Sequence, residues 1–175
     1  MSDVEPAEPS EPVESIEPET LHGVPVVGGP GERVLFPGRD ELVTVATALF
    51  EDGYLMCLDL TAVDYLVHPG RSLPAAIEAE RFEVVVTVIS HRERERIRLR
   101  VQVPAEDPTV PSLFDLHPGT EAMEREVFDM FGLSFTGHPD LTRILMPEDW
   151  VGHPLRKDYD SGRIPVQFKG APAAR

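Results

Sequence analysis

Two nearly adjacent runs constrain this chain more than any other feature. Phe82 to Ser90 contains the β-branched string Val84-Val85-Val86-Thr87-Val88-Ile89. Arg96 to Val103 alternates Ile97, Leu99, Val101 and Val103 with Arg96, Arg98, Arg100 and Gln102. β-Branched side chains suit a pleated, half-buried surface, and strict alternation makes one apolar and one polar face. His91 to Glu93 leaves room for a turn and little else. The two runs are therefore predicted to form an antiparallel hairpin in the middle of a sheet. The 18 prolines among 175 residues, about twice the ordinary share, argue for loops and extended segments around it rather than a helical bundle.

The remaining elements follow from shorter signals. Glu32 to Phe36 reads as a short strand stopped by Pro37-Gly38. Asp40 is the expected helix N-cap, its carboxylate accepting from first-turn amides. Leu42, Val45, Ala46, Leu49 and Phe50 then recur at helical spacing, and Gly53 closes the helix. Tyr54 to Val63 reads as a strand with Leu55, Cys57 and Asp59 on one side and Met56, Leu58 and Leu60 on the other. A Pro- and Gly-rich loop covers 67 to 76. Thr120, after Pro118-Gly119, is the expected cap of a second helix with the stripe Met123, Val127, Met130 and Phe131, closed by Gly132. On it Glu121–Arg125 and Arg125–Asp129 are spaced as surface ion pairs.

Both ends differ from this middle. Residues 1 to 20 hold seven acids, four prolines and no Lys or Arg, and order is expected to begin near Gly31. Residues 1–30 are thus predicted to be a disordered acidic tail, since such a composition cannot offset its ordering entropy. Residues 31–131 form the folded domain. Residues 132–175 lack a long periodic segment, yet carry Phe135, Leu141, Ile144, Leu145, Met146, Trp150, Leu155, Tyr159 and Phe168. A stretch so rich in large apolar side chains is not disordered by composition. The expectation is an extended C-terminal arm that buries its anchors on a partner protein; the competing reading wraps it around its own domain. The fold class is α+β: a small, mostly antiparallel sheet with packed helices and this long extended arm.

Charge and residue types exclude several functions. The net charge of −15 argues against general affinity for nucleic acid or anionic lipid, which needs clustered cations. The arginines at even positions 92 to 100 read as the solvated face of a strand or a contact for an acidic protein surface, because Glu93 and Glu95 dilute them and no aromatic interleaves. Cys57, the single cysteine, cannot support a disulfide framework or a cysteine-ligated zinc or iron–sulfur site. It reads as inert packing in a reducing compartment. No apolar run is long enough to span a bilayer, and the acidic start does not read as a secretory signal. Gly-His-Pro occurs twice, at 137–139 and 152–154, and His138, Asp140, Asp149 and His153 carry the ligand types of a divalent cation at an unfamiliar spacing. Glu124, Glu126 and Asp129 invite a general acid/base reading, against which stand their arginine neighbours on the helix. No phosphate loop, nucleophile motif or dinucleotide fingerprint is present.

One long stretch does carry an identity. Glu124-Arg125-Glu126-Val127-Phe128-Asp129-Met130-Phe131-Gly132-Leu133-Ser134-Phe135-Thr136-Gly137-His138-Pro139-Asp140-Leu141-Thr142-Arg143-Ile144-Leu145 resembles the signature of the C subunit of the proton-translocating NADH:quinone oxidoreductase, respiratory complex I. The likeness continues through Met146-Pro147-Glu148-Asp149-Trp150-Val151-Gly152-His153-Pro154-Leu155-Arg156-Lys157-Asp158-Tyr159, and upstream through Asp59 to Tyr65. Ala122, Thr142 and Asp160 depart from the pattern, where Trp, a basic residue and Pro are usual. The resemblance implies a non-catalytic peripheral-arm subunit with no cofactor of its own, NADH, FMN, iron–sulfur clusters and quinone belonging to other chains. It implies direct contact with the D and B subunits of complex I, and a peripheral place on the cytoplasmic face of the cell membrane. The motif residues are then expected to make subunit contacts. The alternatives are the equivalent subunit of a hydrogenase-type or deazaflavin-dependent complex, or a stand-alone metal-dependent enzyme using His138 and His153.

Overall fold

A computed structural model describes residues 19–160. Its sheet begins earlier than the sequence suggests. β1 (Thr20–Leu21) and β2 (Val24–Val27) form a hairpin that pairs antiparallel with β3 (Arg33–Leu35). The expected disordered tail of residues 1–30 is therefore wrong over its second part; residues 1–18 lie outside the described residues. Val24 and Val26 are 2% and 7% exposed, so this hairpin is part of the core. Pro25 lacks an amide donor, but its carbonyl still accepts from Phe36 N at 3.0 Å.

Next comes α1 (Leu42–Glu51), then β4 (Met56–Asp64), β5 (Phe82–Ser90) and β6 (Glu95–Val103). The hairpin of β5 and β6 pairs from Phe82↔Val103 to Ser90↔Glu95 without a slip. The six strands run β1-β2-β3-β6-β5-β4, and only β3 with β6 is parallel. The α+β class and mostly antiparallel sheet agree with expectation. A second, two-stranded parallel sheet of β7 (Thr109–Pro111) and β8 (Ser134–Thr136) goes beyond what the sequence signals. Between them lies α2 (Glu121–Phe131).

The core is the apolar face of β5 and β6. Val84, Val86, Ile97, Leu99, Val101 and Val103 are all 0% exposed, and Leu42, Val45, Ala46 and Leu49 of α1 and Val127, Met130 and Phe131 of α2 join the same cluster. Three local expectations need correction. Asp40 does not cap α1: a short 3-10 turn, Arg39–Glu41, precedes the helix, and Glu41 accepts from Gly38 N at 2.8 Å instead. The faces of β4 do not alternate throughout, because a bulge at Cys57/Asp59 shifts the phase and leaves Leu60, Ala62 and Asp64 inward. The polar face of the hairpin is solvated only in part. Arg96 and Arg98 are exposed, but Glu83 is 1% exposed and accepts from Arg100 at 2.8 and 2.9 Å and from Gln102 Nε2 at 2.6 Å.

The N-terminal hairpin provides a test of its own role. Relative to a chain beginning at Glu19, removing residues 19–27 strips two buried valines from the sheet, worth roughly 3 kcal/mol in all. Thermal unfolding should move down by about 10 °C for a domain of this size. An unchanged melting temperature would show that β1 and β2 do not pack.

Candidate functional site

α2 and the segment after it concentrate the motif residues, and the side chains there are engaged with one another. The helix begins after a 3-10 turn at Pro118–Thr120. Glu124, fully buried, is not one member of a surface charge array. It accepts from Ser112 Oγ at 2.6 Å, Leu113 N at 2.9 Å and Thr120 Oγ1 at 2.9 Å, and so ties the loop after β7 to the helix. Arg125 does pair with Glu121, at 3.2 Å, and also donates to the carbonyls of Thr142 and Arg143. Glu126 is exposed.

Asp129 is the centre of the arrangement. It is fully buried, and its Oδ2 accepts from the amides of Ile144, Leu145 and Met146 at 3.1, 2.8 and 2.8 Å. Its other oxygen pairs with the Arg143 guanidinium, not with Arg125 as the helical spacing suggests. Arg143 in turn donates to the carbonyls of Trp150 and Gly152, both at 3.0 Å. Burial would push this carboxyl up, but the amides of Met146 and Leu145, Arg143 and the Ile144 amide together hold it below the usual carboxylate range.

Further along, the chain is fastened again. Gly132 ends α2 at φ +71°, a conformation that favours glycine, and a Cβ there would lie 2.5 Å from His153 Nε2. His153 Nδ1 donates to the Asp129 carbonyl at 3.0 Å, and Leu155 N donates to the Met130 carbonyl at 3.0 Å. Arg156 reaches the Phe131 carbonyl at 2.5 Å. Lys157 N donates to Asp64 at 2.9 Å, and Arg81 bridges Asp64 and Asp158 at 2.9 and 2.7 Å.

These contacts correct the picture of the arm through residue 160: it is folded back on its own domain rather than extended. Phe135, expected to anchor a partner, is 4% exposed in this domain's own core. The rest of the arm, 161–175 with Phe168, lies outside the described residues. The candidate metal ligands do not converge either. His138 donates from Nε2 to the Glu121 carbonyl at 3.0 Å and accepts at Nδ1 from Asp140 N at 3.1 Å, so both ring nitrogens are engaged. His153 sits against Gly132, while Asp140 and Asp149 are exposed. Among the described residues no group of three or more His, Cys, Asp or Glu is placed to hold a metal ion. Glu124, Glu126 and Asp129 form no acid/base pair, since two are buried in separate hydrogen-bond sets and the third faces solvent.

Not every motif residue points inward. Leu145 is 60% exposed and Val151 85%, with Ile144 and Leu155 also exposed. Gly137, Pro139 and Pro147 lie on the exposed side of the arm. Trp150, Pro154 and Tyr159 are half-buried, and Tyr159 packs on Gly152. The fastening thus holds these exposed apolar side chains on a fixed backbone. Sequence reasoning missed Asp64 and Arg81 as its far clamp. The signal was available only in part: Asp64 is in phase with Leu60 and Ala62, which makes it an inward acid in need of a partner.

Comparison with known proteins adds the family. A model described as the respiratory-chain NADH dehydrogenase 30 kDa subunit matches residues 37–164. The C subunit of the NADH-quinone oxidoreductase of Mycolicibacterium gilvum is 48% identical over 136 residues, covering 76% of this chain and 56% of that protein. The same subunit of Saccharopolyspora erythraea is 44% identical over 144 residues, covering 81% and 54%. The chain thus spans about half the length of these curated relatives. Among solved structures, the trypsin-resistant fragment of Nqo5 matches at a TM-score of 0.59 and 34% identity, over 68% of this chain and 90% of that one. A chain of the membrane-bound sulfane sulfur reductase, an archaeal respiratory membrane complex, has the same TM-score at 23% identity, over 77% and 75%, and shares the fold.

Two substitutions test the fastening. Asp129→Asn should cost about 3 kcal/mol in urea unfolding at pH 7, the scale for stripping one partner from a buried ion pair. Because the folded-state pKa is depressed, the Asp129 contribution is complete above the unfolded value of about 4 and is lost as pH falls through the folded one. The gap between the native chain and the variant should therefore narrow below about pH 4, and a gap independent of pH would contradict this account. Gly132→Ala leaves Asp129 intact but displaces His153 and Arg156, so trypsin should cut at Arg156 and Lys157 faster than in the native chain. Equal cleavage rates would show that the arm is not held there.

Proposed function

Because this chain belongs to the family of the 30 kDa subunit of respiratory-chain NADH dehydrogenase, we propose that it is a scaffold subunit in the peripheral arm of an NADH:quinone oxidoreductase. Under this reading electrons pass from NADH through FMN and iron–sulfur clusters to quinone in other subunits, coupled to proton translocation. This chain contributes position rather than chemistry. The observation that carries the reading is how the motif's charged groups are used. Asp129, Arg143, His153 and Arg156 all hold the arm onto α2, which leaves Ile144, Leu145, Val151 and Leu155 as the presented surface. A fixed backbone bearing apolar anchors suits a permanent interface, because little ordering entropy remains to be lost on docking. The D and B subunits of the complex are the proposed partners, on the cytoplasmic face of the membrane. Among the described residues no helix is long and apolar enough to cross a membrane. Identities of 44–48% to NADH-quinone oxidoreductase subunits favour this complex over a hydrogenase-type relative.

The test is affinity purification from native membranes followed by identification of the co-purifying subunits. Leu145→Asp combined with Val151→Asp should lower the content of assembled complex on a native gel about tenfold, the scale of one lost interface anchor. NADH-driven quinone reduction normalised to complex content should change much less. Normal assembly with abolished normalised activity would overturn the scaffold reading.

A further inference from the structure

Residues 1–18, outside the described residues, carry a pattern that the proposed function does not use. Glutamate recurs at every third position from Glu5 to Glu17, and proline follows it at Pro6, Pro9, Pro12 and Pro18. Val13 and Ile16 stand immediately before Glu14 and Glu17, and this stretch holds no Lys or Arg. Polyproline II has three residues per turn and suits proline-rich segments. In that conformation the glutamates share one edge of a rod, about 9 Å apart, and Val13 and Ile16 share another.

The outer face of the six-stranded sheet has matching features. Arg96 and Arg98 of β6 are exposed, and neither has a side-chain hydrogen bond or ion pair among the described residues. Glu32 lines the same small recess as these two arginines and pairs with neither. Arg100, the next residue on that face, is held by Glu83. Beside them a groove of 450 Å³ is walled by Val27, Val34, Phe36, Leu73 and Pro74. Val27 is 51% exposed and Val34 half-buried. Val34 is the β3 partner of Arg98, so the apolar groove and the unpaired arginines adjoin.

We propose that this groove is the docking site of the chain's own residues 11–17, seated as a polyproline II rod with Ile16 and Val13 in the groove and Glu14 and Glu11 on Arg98 and Arg96. Register brings the segment there. The Glu19 carbonyl accepts from Val26 N at 2.9 Å, Val26 pairs with Leu35, and Leu35 pairs with Leu99. The chain therefore enters β1 level with Leu99, and its preceding residues run toward the level of Arg98 and then Arg96. Pro18 cannot donate to a sheet edge, so β1 does not extend through it. Three strand spacings separate β1 from β6, about 14 Å. Four residues of polyproline rise cover about 12 Å, and an arginine side chain spans the rest. Phe36 gives the groove the aromatic wall that proline-rich segments commonly dock against. A segment tethered at Glu19 is present at about millimolar effective concentration, which favours it over an acidic segment of another protein. Its composition builds no core of its own, but docking on a preformed surface needs none, and a proline-restricted chain loses little entropy there.

The experiment uses the full-length chain in its native membranes. Arg98→Lys keeps the charge and supplies an amine, which a zero-length carbodiimide joins to a touching carboxylate as an amide, with loss of water. Mass spectrometry of the purified chain then locates the bond. The expected product joins position 98 to Glu11, Glu14 or Glu17 of the same molecule. Val13→Asp with Ile16→Asp adds two acids, so a purely electrostatic attraction would give no less product. The seated rod should instead lose about tenfold in yield, the scale for removing a buried aliphatic side chain. A yield that does not fall overturns the proposal. So does a bond from position 98 only to Glu32 or Glu95, to a second copy of this chain or to an acidic residue of another protein, and so does the absence of any bond. The inference is independent of the scaffold reading, because segment and groove both belong to this chain.

Discussion

The buried carboxylate of Asp129 is the constraint on which the C-terminal half depends. One oxygen collects three consecutive amides, and the other pairs with the guanidinium that also gathers two carbonyls downstream. A segment without helix or strand must still satisfy its backbone groups. Here the satisfaction comes from side chains of α2 and from the segment's own arginine. The result is an irregular chain with the fixity of a regular element. It differs from an ordinary surface ion pair, which contributes little, because removing either member strands the other in a dry site.

The same logic repeats at smaller scale. Glu124 joins the post-β7 loop to α2, Glu83 holds Arg100 and Gln102 under the 65–81 loop, and Asp64 with Arg81 clamps the end of the arm. Each of these acids is buried and each accepts hydrogen bonds, Glu83 and Asp64 from arginines and Glu124 from two hydroxyls and an amide. The surplus of acidic residues in the composition therefore conceals a small set with structural duties, distinct from the exposed majority.

Much of the sheet could be read from sequence because its signals are local. The alternation of β6 and the β-branched run of β5 set faces and register within one hairpin, and the stripe of α1 needed only helical spacing. What escaped was non-local. β7 and β8 are three residues each and exist only because they pair with one another. β2 carries Pro25 between turn residues, which hides a strand whose burial is decided by β3. Helical spacing matches Asp129 to Arg125, whereas Arg143, fourteen residues on, outcompetes it because it arrives with three amides beside it. The motif marked the region by resemblance, but spacing alone gave no reason to see a cradle in it.

The topology also has a consequence for the order in which the molecule can form. β3 finds its neighbour β6 only after the long stretch between them has been made, and the pairing is parallel. Asp64 waits still longer, since the Lys157 amide it accepts from is 93 residues away. On a ribosome, the first strands emerge well before the central hairpin that completes their sheet, and the arm closes last. A chain with such distant pairings folds more slowly than its size suggests. Until closure, Val24, Val26 and the inner side of β4 are uncovered apolar surface, so the nascent chain passes through a stage in which its aggregation risk is set by sequence distance rather than by final stability.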